Sequence, residues 1–200
     1  MKTESTVRQE HILKAAIRRF SHFGIQKTTL TEVADDLSMT KQSLHYYFPD
    51  KQSLIAAVEE KITSDYIDGI TEQINDALST EEALLRLVDV RKQFFEKYFM
   101  LAEQVRKAEV RISDKSVEEV KQKLTDRESF LLSKLFQKGI ERGELRQVDT
   151  VKTAGLLLDT LVAFTYCISE KKGLPEKEDF EAIYQKQRDV MHLFYNGLKS

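Results

Sequence analysis

Residues 24–51 read GIQKTTLTEVADDLSMTKQSLHYYFPDK, two short helical patterns separated by a tight turn. Thr29 stands three residues before Glu32, the spacing at which a hydroxyl and a carboxylate satisfy each other's orphan amides at a helix start. Leu30, Val33, Ala34 and Leu37 then recur at helical intervals, so a single apolar stripe faces a core. Thr40 is placed to cap a second helix, with Leu44 and Phe48 four apart on its inner side. The other side chains of that helix are Lys41, Gln42, Ser43, His45, Tyr46 and Tyr47. All of them form hydrogen bonds, and none gives the outer face an apolar reason to exist. A pair of short crossed helices with a donor-rich outer second helix matches a helix-turn-helix whose second helix enters a DNA major groove.

Gly24, Thr28-Thr29, Val33-Ala34, Leu44-His45-Tyr46-Tyr47-Phe48 and Lys51 together resemble the N-terminal signature of the TetR family of transcriptional regulators. That signature has a glycine, a threonine pair, an Ile/Val-Ala step, a Leu-Tyr-x-x-Phe-like run and a following lysine. Three positions depart from it. Ser38 and Gln42 stand where glycine or another small residue is frequent, and His45 stands where tyrosine is usual.

Composition sets the frame around this motif. Apolar residues make up 41% of the 200 and charged residues 32%, which describes an ordinary globular chain and excludes a disordered one. Two prolines and seven glycines leave little punctuation and favour long helices. The single cysteine, Cys167, excludes an intrachain disulfide and any multi-cysteine zinc site, and its apolar context points to inert packing. The polar start MKTESTVRQEH has no apolar signal-peptide core, and no run approaches the roughly 20 apolar residues a bilayer span needs. These features predict a cytoplasmic protein. The net charge of −2 is unhelpful to nucleic-acid binding, but residues 7–51 carry seven Lys/Arg against five Asp/Glu, a local +2 that leaves −4 elsewhere.

The pattern along the chain predicts an all-α fold. A three-helix helix-turn-helix domain over residues 1–51, with its motif at about 29–48, is joined by a long helix to a C-terminal effector-binding and dimerisation bundle over 52–200. The first helix, from about Thr6 to Phe23, turns Ile12, Leu13, Ala16, Ile17, Phe20 and Phe23 inward and leaves Arg8, Lys14, Arg18 and Arg19 wet. Asp50 caps the fourth helix and Lys51 lies in its first turn. Ser79, Ser113-Asp114 and Asp149 open three more helices, and a last one runs from Glu176 to about Tyr195. Residues 154–168, AGLLLDTLVAFTYCI, are apolar nearly all round, so both faces require cover and Asp159 requires a partner. The last two helices carry more apolar face than one subunit covers, predicting a homodimer through them. The tract Gly139–Arg146, GIERGELR, also resembles one common in the C-terminal domains of the TetR family.

Candidate DNA contacts divide by role. Lys41, Gln42, Ser43, His45 and Tyr46 are candidates for base edges or nearby phosphates, with Gln42 suited to adenine and Lys41 to guanine. The family resemblance implies phosphate clamps at Thr29, Thr40, Tyr47 and Lys51, assisted by Thr28 at the start of the second helix. It also implies double-stranded operator DNA as partner, repression as output, and a small, lipophilic effector bound among the C-terminal helices. Phe94, Tyr98, Phe99, Phe130, Phe164 and Tyr166 are candidates to line such a cavity, the alternative being core residues at helical spacing. Catalysis finds no support: there is no glycine-rich phosphate loop, and His11 and His22 lie about 16 Å apart along one helix, too far to share a metal. No cofactor or metal is expected. The competing reading is an all-α protein-interaction module that has lost DNA binding.

Overall fold

A computed structural model describes residues 4–107, 114–169 and 177–200, the side chains of 105–121 and 165–177 excepted. Among the described residues the secondary structure is helical: α1 (Glu4–Phe23), α2 (Leu30–Asp36), α3 (Lys41–Tyr47), α4 (Lys51–Asn75), α5 (Thr80–Lys107), α6 (Asp114–Glu141), α7 (Thr150–Ser169) and α8 (Lys177–Leu198). The only extended pairing there is an isolated antiparallel bridge between Leu145 and Lys199. The chain forms two compact units, Met1–Asp65 with Lys97–Glu118, and Tyr66–Glu96 with Glu119–Ser200. Helices α4, α5 and α6 each contribute residues to both.

The first unit is built on the α1 stripe. Ile12, Leu13, Ala16 and Phe20 are buried with Val33 and Ala34 of α2, Leu44 and Phe48 around α3, and Leu54, Ile55 and Val58 of α4. Removing each large side chain from water contributes about 1.5–3 kcal/mol, which offsets the cost of ordering helices this short. Phe23 departs from the expected stripe. It is 58% exposed, and its ring lies under the Arg19 guanidinium at 5.4 Å. Gly24 then takes φ +85°, a conformation open to glycine without strain, and its amide bonds the Phe20 carbonyl at 3.1 Å.

The second unit packs Leu84, Leu87 and Val88 of α5, Leu132 and Phe136 of α6, Leu157, Leu158 and Leu161 of α7, and Met191 of α8 into a core. Its helix ends carry the expected caps. The Ser79 hydroxyl accepts from the Glu82 amide at 3.2 Å, and the Asp149 carboxylate accepts from the Lys152 amide at 3.0 Å. The 139–146 tract is explained by close approach. A Cβ on Gly139 would stand 2.5 Å from the Thr80 hydroxyl, and Glu144 accepts from the Thr80 amide at 2.6 Å. Thus the end of α6 is stitched to the start of α5.

Asp159 is not the buried carboxylate expected. It is exposed on an uncovered face of α7 that also holds Val151 (66% exposed), Leu156 (55%) and Val162 (38%). Helix α7 is therefore covered on one side within the protomer, and Leu193 of α8 is likewise exposed. Gly173 and Pro175, residue types whose backbones commonly end a helix, lie outside the described residues.

The buried charge of this unit lies elsewhere. Tyr66 donates to Glu128 Oε1 at 2.5 Å, and Arg91 Nη1 donates to the same oxygen at 2.6 Å and to the Tyr66 hydroxyl at 2.8 Å. Burial holds the Tyr66 phenol well above its ordinary range, so it is a neutral donor. Sequence periodicity gives no sign of this triangle, since its members come from three helices. Glu128→Ala would leave the Arg91 guanidinium buried without a counter-charge and is expected to cost about 3 kcal/mol in denaturant titrations. Glu128→Ala combined with Arg91→Met should recover most of that loss; no recovery would show that the charge pairing is not the source of the cost.

Candidate nucleic-acid interface

Helix α2 is only seven residues long and depends on its ends. Thr29 Oγ1 accepts from the Glu32 amide at 3.3 Å while Glu32 Oε2 accepts from the Thr29 amide at 2.7 Å, the reciprocal box expected from the spacing. A second restraint comes from α1. Arg19 forks onto Asp36, Nε to Oδ2 at 2.7 Å and Nη2 to Oδ1 at 2.9 Å, and its Nη1 lies 3.4 Å from Glu32 Oε1. Arg19 was expected on the wet side of α1; it instead brackets both ends of α2. The signal lay in Asp35-Asp36, two acids closing a short helix whose C-terminal dipole end disfavours them unless a cation intervenes.

The turn that follows is tight. Ser38 takes φ +50°, and the Ser38 and Met39 amides bond the Asp35 and Ala34 carbonyls at 3.0 and 2.9 Å. A side chain in this left-handed conformation is strained, which accounts physically for the glycine frequent at this position. Ser38→Gly should raise the denaturant midpoint, with a gain of up to about 1 kcal/mol after the added unfolded-state entropy is offset. An unchanged or lower midpoint would mean the serine side chain contributes more than the strain costs.

Thr40 caps α3 by accepting from the Ser43 amide at 3.1 Å, and its hydroxyl shares a 2.8 Å bond with that of Ser43. With Leu44 and Phe48 buried beneath, Lys41, Gln42, Ser43 and Tyr46 stand on the exposed side, Tyr46 at 82% exposure. Tyr47 is half-buried and meets Tyr46 edge to face at 5.2 Å. His45 Nδ1 donates to the Pro49 carbonyl at 2.9 Å, which leaves Nε2 as the outward nitrogen. Lys51 Nζ donates to the Gln26 carbonyl at 3.0 Å, tying the start of α4 to the loop before α2, and partial burial lowers its pKa from the ordinary lysine value. Thr28 differs from the expectation. It is 1% exposed and its hydroxyl donates to the Gly24 carbonyl at 2.9 Å, so it shapes the loop from inside.

The candidate cavity residues are dispersed. Phe94 lies in the second unit, its ring 4.5 Å from that of Tyr66, and Phe164 of the same unit is half-buried. Phe130 is 62% exposed beneath the Lys134 ammonium. Tyr98 and Phe99 are buried in the first unit, and the Tyr166 side chain lies outside the described residues. Among the described residues no cluster of His, Cys, Asp or Glu could hold a metal, and no helix is long and apolar enough to cross a membrane.

The α2 clamp has a pH signature. Hydrogen bonds from the Thr29 backbone and hydroxyl lower the Glu32 pKa, and the hydrogen bond from Arg19 lowers that of Asp36. Because both folded-state values lie below the unfolded ones, the stabilisation is fully present above the ordinary carboxylate range near pH ~4 and is lost as pH falls through the lowered values. Urea midpoints taken between pH 7 and 3 should fall less for the Glu32→Gln/Asp36→Asn double variant than for the wild type. Parallel curves would place the acid sensitivity elsewhere.

A capped pair of seven-residue helices, the second one exposing hydrogen-bonding groups above a buried apolar floor, defines a helix-turn-helix DNA-binding protein. The sequence profile described as "Bacterial regulatory proteins, tetR family" matches residues 12–58. An HTH-type transcriptional regulator of Bacillus subtilis, YhgD, is 26% identical over 180 residues, covering 89% of this chain and 93% of the relative. The Escherichia coli regulator RutR is 39% identical over 57 residues, or 28% of this chain and 27% of that protein. The crystal structure of a transcriptional regulator from Cytophaga hutchinsonii superposes with a TM-score of 0.83 at 25% identity, covering 96% of this chain and 99% of the other. Residues 12–58 thus match the DNA-binding domain of the tetR family, and the chain is similar along nearly its whole length to DNA-binding transcriptional regulators.

Proposed function

We propose that the chain acts as a homodimeric repressor that holds a palindromic operator and releases it when a small, largely lipophilic effector binds within residues 52–200. The observation that carries the DNA-binding face is the exposed row Lys41, Gln42, Ser43 and Tyr46 above the buried Leu44 and Phe48. In this reading those four side chains, with His45 Nε2, read base edges. Gln42 pairs with adenine or Lys41 with guanine, each contributing ~1–3 kcal/mol of discrimination. Thr29, Thr40, Tyr47 and Lys51 hold phosphates and set register without reading sequence, and Thr28 supports them through the loop.

Dimerisation is supported by the apolar residues left uncovered on the last two helices, Val151, Leu156, Val162 and Leu193. A two-fold axis would place the two copies of α3 in major grooves ~34–36 Å apart or a multiple of it, and would double the local positive charge that the net charge of −2 obscures. Phe94, Phe130, Phe164 and Tyr166, all of the second unit, remain the candidate effector contacts, whereas Tyr98 and Phe99 belong to the first. Release requires that the effector bind the DNA-free arrangement more tightly than the DNA-bound one, because only differential affinity moves such an equilibrium. A regulator of this kind works in the cytoplasm, where its operator lies.

The test is fluorescence anisotropy with duplex DNA from upstream of the chain's own gene, with stoichiometry read by sedimentation. Two chains are expected per operator. Tyr47→Ala should weaken binding to all sequences alike, whereas Gln42→Ala should relax preference at one or two base pairs by ~1–3 kcal/mol. Binding unchanged in both variants would mean the assigned face is wrong.

A further inference from the structure

A cleft of about 590 Å³ opens within the first unit, walled by α1, α4 and α5. Helix α1 lines it with His11, Lys14, Arg18 and His22, spaced three or four apart along one exposed face. Lys61 of α4 and Lys97 of α5 add charge from the other walls. The single carboxylate in the lining, Asp65, is already held by the Lys61 ammonium at 2.8 and 2.9 Å. Among the described residues no carboxylate forms a salt bridge with Lys14, Arg18 or Lys97. Arg19 forks onto the α2 carboxylates, while its neighbour Arg18 lines the cleft and acts on Asp36 only through longer-range attraction.

Lys14, Arg18 and Lys97 thus face one concavity without a salt-bridged carboxylate among the described residues, Arg18 sensing Asp36 only through longer-range attraction, in a chain whose net charge is −2. Like charges on low-dielectric walls focus a positive potential and repel one another, and a bound anion relieves both effects. The same cleft has an apolar side, formed by Ile17, Leu37 and the ring of Tyr98, over which the Lys97 ammonium sits at 4.9 Å. Arginine offers the planar fork that matches a phosphate, the lysines add point charges, and the apolar side accepts an organic body. The volume falls in the range of small-molecule sites. None of the lining comes from α3 or from the start of α2, so the cleft is separate from the proposed DNA face.

We propose that this cleft is a binding site for a small organic polyanion, a phosphate ester whose phosphates meet Lys14, Arg18 and Lys97 and whose planar body lies against Ile17, Leu37 and Tyr98. Bound there, the ligand ties α1 to α4 and α5 within the unit that carries the recognition helix, and so supplies a second input distinct from the lipophilic effector.

Isothermal titration of the full chain at low ionic strength, with ADP and with inorganic pyrophosphate as probes, tests the assignment. ADP should bind more tightly than pyrophosphate because only ADP uses the apolar side, and added salt should weaken both. Lys14→Glu with Arg18→Glu should weaken ADP binding at least roughly tenfold, the loss expected when charge-assisted hydrogen bonds become repulsion. Lys134→Glu, on α6 in the other unit, should leave it unchanged. Should circular dichroism show that the charge reversals disturb folding, Lys14→Gln with Arg18→Gln reports the same loss in milder form. No measurable ADP binding to the wild type, or equal binding to the folded double variant, would overturn the proposal. If the wild type ignores ADP while the double variant loses operator affinity, the cleft is a DNA-backbone surface and the proposal also fails.

Discussion

The guanidinium of Arg19, forked onto Asp36 and within 3.4 Å of Glu32, holds the DNA-binding head in its working geometry. Helices α2 and α3 are seven residues each, well below the ~12–15 at which an isolated helix becomes even marginal in water. They persist because every end is tied. Thr29 and Glu32 close one start, Thr40 closes the other, and Val33, Ala34, Leu44 and Phe48 are buried beneath. The ion pair itself is partly exposed and adds little energy in that setting. Its contribution is directional, since a bidentate fork fixes the rotation of α2 about α1. The angle at which α3 presents its outer side chains follows from that.

The second unit solves a different problem with the same kind of interaction. There Arg91 and Glu128 are nearly out of water, with 13% and 7% of their side chains exposed, and the Tyr66 hydroxyl completes the set. A buried pair costs desolvation on both sides, so its worth lies less in net stability than in allowing one arrangement of three helices. Surface pairs between α5 and α8 follow one antiparallel register: Glu81 with His192, Asp89 with Arg188, and Lys92 with Glu181. Charge in this protein is thus used to orient helices, while burial of leucine, isoleucine and phenylalanine supplies the driving force.

Legibility in the sequence divided along the range of the interaction. Caps are local, so Thr29, Thr40, Ser79, Asp149 and Gly24 could be placed from spacing alone, and each does what its position implies. Helical periodicity found the buried stripes but could not say where cover stops. Phe23 continues the α1 stripe and yet is exposed, its ring set beneath the Arg19 guanidinium and not in the core. Asp159 looked buried from its neighbours, and is exposed because α7 turns one apolar side away from its own protomer. Thr28 and Thr29 are adjacent and chemically identical, but one points into the loop and the other to solvent. Only the Gly24 turn distinguishes them.

The sequence by itself determined the helical class, the position of the helix-turn-helix, and which side chains stand on the outside of the recognition helix. Those features depend on the backbone period and on hydrogen bonds spanning three or four residues, and both are written in residue order. Tertiary structure decided everything carried by pairs distant in the chain. Arg19 with Asp36, Tyr66 and Arg91 with Glu128, and the cations of α1, α4 and α5 around one cleft are separated by many residues in sequence. No spacing rule joins them, because the distance that matters to a charge is through space, and only packing sets it.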